Sequence, residues 1–299
     1  MNLKRLIYNK LNAIYRAVEL LFKTVGLVAR YDKKPALKLV EELADYLKKK
    51  GLKIYIEDTL AGKIITKEEM VPLSKMKTDF IITIGGDGTI LRTCINVPKP
   101  EPPILAVNMG VRGFLTSVEP KNVFEGLDKI LNEDYKIEKC AKLCVKAGEE
   151  VMPDALNDVV ISSGEPSKIL YAQICKDGKP ILNCQADGLI VATQTGSTGY
   201  SFSAGGPVLD PATGAFVITP ICSLTMFHSL VFPANSTITF NITKTEEVLV
   251  LIDGKYRKLV NSKQPRLEIT ISKNVTSFIR FETDFYDRLR SRLLFKGTE

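Results

Sequence analysis

Phe80-Ile81-Ile82-Thr83-Ile84-Gly85-Gly86-Asp87-Gly88-Thr89 is a short, mostly apolar run broken by three glycines around one carboxylate. The run predicts a buried strand that ends in a phosphate loop. Glycine lets the backbone turn tightly and brings its N–H groups close to an anion; Thr89 is expected to cap the helix begun by Ile90, Leu91 and Ile95. Gly85, Gly86, Gly88 and Thr89 are therefore the candidate phosphate loop. Asp87 needs a task of its own, since its charge repels phosphate unless it serves catalysis, a metal or a hydroxyl. The competing reading is a plain strand-to-helix turn in which Asp87 bonds its own backbone.

Upstream, residues 1–23 carry Leu3, Leu6, Ile7, Leu11, Ile14, Val18, Leu21 and Phe22 at helical spacing with basic residues between, an amphipathic helical extension. Val25 to Ala29 reads as the first strand of the globular body. Ala36, Val40, Leu43, Ala44 and Leu47 share one helical face that Gly51 ends, and Leu52, Ile54 and Ile56 then alternate as a strand. Downstream of the glycine loop come a helix, a proline-rich turn, a buried strand from Ile104 to Val107, a second glycine loop from Asn108 to Phe114, and a helix near Pro120 to Leu131. Strands alternating with helices predict a parallel, doubly wound sheet with ligand loops at the strand C-termini. Near residue 135 the texture changes to short strands and turns, including an Asp177-Gly178 hairpin. Strands are expected at Ile169 to Cys175, Ile181 to Cys184, Leu189 to Ala192, Ala215 to Thr219, Thr237 to Ile242, Val248 to Ile252, Leu267 to Ile271 and Thr276 to Phe281. The expected fold is an α/β N-terminal domain over 24–133 and a β-rich, β-sandwich-like domain over 134–282. A C-terminal helix over 283–299 is expected to pack back on the α/β domain.

Among 299 residues, 41 basic side chains against 34 acidic ones give a net charge of +7. That surplus is spread along the chain without a basic block or an aromatic RNA-binding motif, so no nucleic-acid partner is implied; polyanionic small molecules suit it. No apolar run reaches the roughly 20 residues of a membrane span, and Asn9, Lys10 and Asn12 interrupt any secretory core. A cytoplasmic protein with no membrane partner is expected. The six cysteines form no CxxC pair and read as small core residues. With one histidine, His228, neither a His-rich metal site nor a Ser-His-Asp triad is supported, and a general base is expected to be a carboxylate.

A second constellation spans Asp187 to Pro207, where Thr193-Gln194-Thr195-Gly196-Ser197-Thr198-Gly199-Tyr200-Ser201-Phe202-Ser203 leads to Gly205-Gly206. Its hydroxyls and backbone N–H groups can be offered to a diphosphate or ribose, with Tyr200 able to stack on a flat base. Taken together, the glycine-aspartate loop, Asn157-Asp158 and the Thr195 to Ser201 segment through Gly205-Gly206 make the chain resemble the NAD kinases from about Val25 to Leu294. The first loop alone is shared with diacylglycerol, sphingosine and 6-phosphofructo-kinases; the hydroxyl-rich segment is what separates the families. The resemblance implies transfer of the γ-phosphoryl group of ATP, or of polyphosphate, to the adenosine 2′-hydroxyl of NAD, giving NADP. It also implies Mg²⁺ or another divalent cation with the ATP, and a homodimer or homotetramer.

By the same resemblance Asp87 is the proton acceptor and Gly88 lets the ribose approach. Arg92 faces phosphate; Asn157 and Asp158 contact adenine and ribose; Lys168 is a further basic contact; and Asp187 binds the nicotinamide end. Thr198, Gly199, Tyr200, Ser201, Phe202 and Ser203 hold NAD. Gln194, Gly199, Gln185, Leu224 and Ser229 depart from the usual residues at their positions, and His228 does not restore a lost histidine. Asp253-Gly254, followed by Lys255, resembles a late family turn and reads equally as a plain hairpin.

Overall fold

The computed structural model describes residues 22–110, 113–165, 167–244, 247–261, 265–281 and 285–293. The helix expected over residues 1–23 lies outside them, save its last two positions. The first half is built from β1 (Thr24–Ala29), α1 (Lys34–Lys49), β2 (Lys53–Glu57), β3 (Glu69–Val71), β4 (Phe80–Gly85), α2 (Asp87–Asn96), β5 (Ile104–Asn108) and α3 (Val123–Leu131). Five parallel strands stand in the order β3-β2-β1-β4-β5. Chain order reverses between β1 and β4, which opens a crevice beyond their carboxyl ends, the place where such sheets hold ligands.

Both faces of this sheet are covered, as a continuous apolar strand requires. Phe80, Ile82 and Ile84 of β4 face the stripe of α1 that carries Leu39, Leu43 and Leu47, together with Leu127 and Ile130 of α3. Burying each such leucine stabilises the packed helix by about 1.5–3 kcal/mol, more than any helix-propensity difference along it. Gly51, at φ 87°, accepts the left-handed conformation that ends α1. On the other face Ile90, Leu91 and Cys94 of α2 pack with Ile104 and Ala106 of β5.

The second half contains β6 (Lys136–Ala147), β7 (Glu150–Val151), β8 (Asp158–Ser163), β9 (Leu170–Lys176), β10 (Lys179–Ala186), β11 (Gly188–Ala192), the single helical turn α4 (Tyr200–Ser203), β12 (Ala215–Ile221), β13 (Leu230–Pro233), β14 (Ile238–Thr243), β15 (Glu247–Ile252), β16 (Tyr256–Asn261), β17 (Arg266–Arg280) and α5 (Phe285–Leu293). One antiparallel sheet runs β13-β12-β11-β8-β15-β16. Its inner side chains, among them Val159, Ile161, Leu189, Val191, Phe216 and Val250, meet Leu143, Leu170, Ile174, Phe240 and Leu267 from β6, β9, β14 and β17 in one core. That is a sandwich.

Three features differ from the sequence reading. Leu267 to Ile271 and Thr276 to Phe281 belong to one strand, β17, whose register against β6 shifts between Ile271 and Val275. The bulge lets one strand serve both halves: Ile269 pairs with Ile238 of β14, while Phe278 pairs in parallel with Ile104 of β5. A single sheet therefore runs from the sandwich into the α/β half. Short or edge strands β3, β7, β13 and β16, with β6 and β8, carry no expectation from the sequence, because charged residues interrupt most of them. Finally, Cys94, Cys175 and Cys184 are buried as expected, but Cys222 is exposed at φ 45° after β12.

Candidate active site

Asp87 is the first residue of α2, with Gly86 as the N-cap, so the helix starts two residues before Thr89. Thr89 is consequently not the cap; it is buried in the first turn, and a Cβ at Gly85 would lie 2.3 Å from its Oγ1. A carboxylate at a helix N-terminus is favoured by the aligned peptide dipoles. The second glycine loop fixes it further: the N–H groups of Phe114 and Leu115 donate to Asp87 Oδ2 and Oδ1 at 3.2 and 3.3 Å. Glycine at 113 leaves room for this arrangement, since a Cβ there would stand 2.0 Å from Asp87 Oδ1 and push the carboxylate aside. The two glycine loops thus form one device that holds a half-buried carboxylate at the head of α2, beyond the carboxyl end of β4.

Arg92 lies one turn along α2 but is held sideways. Its guanidinium grips the buried Glu57 with two N–H groups, one at 2.8 Å from Glu57 Oε2, and reaches the Ala29 carbonyl at 3.4 Å. Glu57 was invisible as a partner in the sequence; its only signal is an acid that ends an apolar strand.

The Asn157-Asp158 segment is braced by a residue that the sequence leaves open between a family turn and a plain hairpin. Asp253, buried at the tip of the β15–β16 hairpin, accepts the N–H groups of Leu156, Asn157 and Asp158 at 2.8, 2.7 and 3.0 Å. Burial raises the Asp253 carboxyl above the ordinary carboxylate range, partly offset by those three N–H groups. Asp158 is pushed up to about 7, first by burial and then by the neighbouring Asp253 charge. Asn157 Oδ1 is buried and has no hydrogen-bond partner among the described residues, although its backbone is fully engaged. An orphaned buried acceptor of this kind is costly unless a ligand donates to it.

Asp158 has a consequence for stability. A carboxyl raised in the folded state keeps its proton while the unfolded chain, near its ordinary 3.8, has lost it; stability therefore falls as pH climbs from about 4 to about 7 and stays lower above. Asp158→Asn is expected to melt higher than the parent chain at pH 8 and to match it near pH 4, read by circular dichroism. Equal pH profiles for the two proteins would contradict this assignment.

The hydroxyl-rich segment behaves differently from its sequence reading. Several of its hydroxyls are already engaged by the protein: Thr193 Oγ1 donates to Leu156 O at 2.6 Å, Ser197 Oγ to Gln194 O at 2.6 Å, and Thr198 Oγ1 to Thr195 O at 3.1 Å. Ser201 Oγ shares a hydrogen bond with Thr219 Oγ1 at 2.8 Å, and Thr219 bonds in turn to Ser229 at 3.1 Å. These bonds shape a tight loop pressed on Asn157, where a Cβ at Gly196 would stand 1.9 Å from the Asn157 carbonyl. Tyr200, Phe202 and Ser203 stay exposed, beside half-buried Gly199. A cavity of about 320 Å³ lies beside the hydroxyl-rich segment, with Phe114 and Leu115 on one wall and Thr195 and Thr198 on another. In its lining, Glu138 binds Arg280 at 2.5 Å and Arg288 of α5 at 3.2 Å, and Phe285 of α5 lies against Phe114.

Two predicted contacts stand elsewhere. Lys168 is exposed beyond the end of β8 and pairs with Glu165; Asp187 is exposed just before β11. Because Gly188 pairs with Ser162 and Ala192 with Asp158, both lie at the opposite end of the sheet from Asn157-Asp158. Roughly 15 Å of strand separates them. Gln185, one of the departures from the family pattern, holds another, Leu224, through its carbonyl at 2.8 Å.

A carboxylate at a helix N-terminus beyond the carboxyl end of a parallel strand, with a braced polar segment on a β-sandwich, defines a nucleotide-dependent phosphotransferase. Residues 25–135 match the ATP-NAD kinase N-terminal domain, and residues 156–281 match the ATP-NAD kinase C-terminal domain. The chain is 37% identical over 278 residues to the NAD kinase of Methanothermobacter thermautotrophicus, covering 92% of this chain and 98% of that one. It is 38% identical over 274 residues to the NAD kinase of Pyrococcus furiosus, covering 90% and 98%. The chain belongs to the ATP-NAD kinase family. Among solved structures it is similar to an Archaeoglobus fulgidus NAD kinase in complex with ATP, with a TM-score of 0.74 at 28% identity over 90% of this chain and 99% of that one. Yeast NADH kinase complexed with NADH shares the fold, with a TM-score of 0.83 at 22% identity over 93% and 89%.

Proposed function

We propose that this chain transfers the γ-phosphoryl group of ATP to the adenosine 2′-hydroxyl of NAD, with Asp87 as the proton acceptor. The observation that carries the reading is a held carboxylate and, braced by the hairpin whose Lys255 ammonium reaches over Gly88, a segment with an unsatisfied buried acceptor, Asn157 Oδ1. Asn157 receives a donor from the adenine, Asp158 and the exposed Tyr200, Phe202 and Ser203 seat the adenosine, and Gly88 leaves room for the ribose. Thr198, Gly199 and Ser201 act by shaping that loop.

A ribose hydroxyl does not ionise at neutral pH, but a loose phosphoryl-transfer transition state asks little of the nucleophile. Positioning dominates. The 2′-oxygen forms its bond to the γ-phosphorus as the bond to the β,γ-bridging oxygen breaks and ADP leaves, and the hydroxyl proton passes to an Asp87 oxygen. At the start of α2 the N–H groups of Thr89 and Ile90 donate to the Gly86 carbonyl, and the Gly88 N–H ahead of them faces the phosphates. Mg²⁺ arrives with ATP as the counter-ion of its phosphates; among the described residues no group of three or more His, Cys, Asp and Glu side chains is gathered around a resident ion.

The same reading makes the enzyme a homodimer or homotetramer. Asp187 and Lys168, at the far end of the sheet, then serve the nicotinamide end of a dinucleotide bound to a neighbouring subunit; exposed Leu224 and Met226, in the loop that packs on Gln185, favour such an apposition. Six unpaired cysteines, and the absence among the described residues of a helix long and apolar enough to cross a membrane, accord with a cytoplasmic enzyme. The test is a coupled assay for NADP with ATP, Mg²⁺ and NAD, run beside NADH, polyphosphate, diacylglycerol and fructose 6-phosphate. NADP formation is expected; phosphorylation of the lipid or sugar with NAD untouched would overturn the reading.

A further inference from the structure

We infer that Lys255 is the residue that takes the anionic oxygens of the donor triphosphate above the glycine-aspartate loop, an inference that rests on the kinase reading above. Its side chain leaves the β15–β16 hairpin immediately after Asp253 and Gly254, which turn the chain at φ 50° and 61°. Because the Asp253 carboxylate is tied to three N–H groups of another segment, the direction in which Lys255 departs is set by the acceptor-binding strand. The ammonium then stands 3.5 Å from where a Cβ on Gly88 would be, and the adjoining Cε stands 3.8 Å away. It therefore overhangs the first turn of a ten-residue helix, where the positive end of the dipole already favours an anion.

Arg92, which the sequence nominates for phosphate, is held by its grip on Glu57. Lys255 makes no ion pair or side-chain hydrogen bond among the described residues. Lys258, three residues along the same hairpin, instead binds Glu150 at 2.6 Å. An ammonium with three donors on a flexible stem suits a phosphate chain that shifts as the γ-group transfers. One hairpin thus holds the acceptor-binding segment through Asp253 and reaches the donor through Lys255, which fixes the spacing between the two substrates.

The test compares Lys255→Met, Lys255→Arg and, as a charge-matched control, Lys258→Met in the full chain. Lys255→Met is expected to lower kcat/KM for ATP roughly 10- to 100-fold, as for loss of a charged hydrogen bond, with KM for NAD changed by less than about twofold. Lys255→Arg should recover most of the loss, and Lys258→Met should match the parent. Calorimetric titration with inorganic tripolyphosphate, which lacks a nucleoside, should show binding weakened about tenfold or more in Lys255→Met alone. Unchanged ATP kinetics, a loss that falls equally on KM for NAD, or an arginine variant as poor as methionine would each overturn the inference. If the parent chain made no NADP yet lost tripolyphosphate binding on Lys255→Met, the kinase reading would fall and the phosphate contact would stand.

Discussion

Replacing Asp87 by asparagine is expected to lower kcat by about 10²- to 10⁴-fold while leaving NAD affinity within a few-fold of the parent, the usual loss when a positioned general base is removed. The amide keeps the side-chain shape and its place at the start of α2, so the phosphate-facing Gly88 N–H is preserved. What disappears is the capacity to take the hydroxyl proton. One hydrogen bond also goes: the carboxylate now accepts from both Phe114 and Leu115, whereas an asparagine oxygen can satisfy one of them and its NH₂ faces the other donor. That structural cost is about 1–2 kcal/mol and would appear as a modest fall in melting temperature. The catalytic cost is larger and appears only in turnover. Single-turnover rates with bound NAD quantified separately would divide the two. A variant whose kcat stayed within about twofold of the parent would remove Asp87 from the chemistry.

The crevice that holds Asp87 was legible because its signals are local. Apolar Phe80 to Ile84 followed by glycines gave both the strand and the loop, and the alternation of strands with helices gave the doubly wound sheet. The sandwich was legible as a class but not in its wiring. Leu267 to Ile271 and Thr276 to Phe281 looked like two strands because Ser272, Lys273 and Asn274 interrupt them; the bulge that joins them depends on long-range pairing with β6. Within the site, residue types marked polar loops without showing how each side chain is engaged there. Thr193, Ser197 and Ser201 looked like ligand donors, yet their hydroxyls bond to Leu156, Gln194 and Thr219, tying the loop to itself and to its neighbours, since a buried hydroxyl binds whichever acceptor is nearest. Glu57 and Asp253 carry the opposite lesson. Each is an acid at the end of a hydrophobic strand, and only the folded chain reveals whether such an acid is solvated, paired with Arg92, or tied to three N–H groups.

Removing the Glu101 carboxylate should destabilise the whole chain by about 3–5 kcal/mol, the cost of stranding a buried charge. Glu101, in the loop before β5, is the shared partner of Lys142 on β6 at 2.5 Å, Thr276 on β17 at 2.6 Å, and Lys99. The side chains of Lys142 and Glu101 are fully excluded from solvent. Burial alone would pull the Lys142 ammonium down; the facing Glu101 outweighs it and holds the group above its ordinary value. In Glu101→Gln that ammonium stays buried without its counter-charge, while Glu101→Gln combined with Lys142→Met removes both charges and should regain most of the loss. The single variant's deficit should also narrow towards pH 10: an unpaired buried lysine gives up its proton in the folded state before the unfolded chain does, so stability rises with pH over that range. Denaturant unfolding followed by circular dichroism at pH 7 and pH 10 reads both effects. A single variant within about 0.5 kcal/mol of the parent would show that the Glu101 carboxylate is not needed to hold the buried Lys142 ammonium. Because Glu101 belongs to the α/β half and its partners Lys142 and Thr276 to the two strands that run through the sandwich, the cluster pins one half against the other, and the distance between Asp87 and the Asn157 segment depends on it.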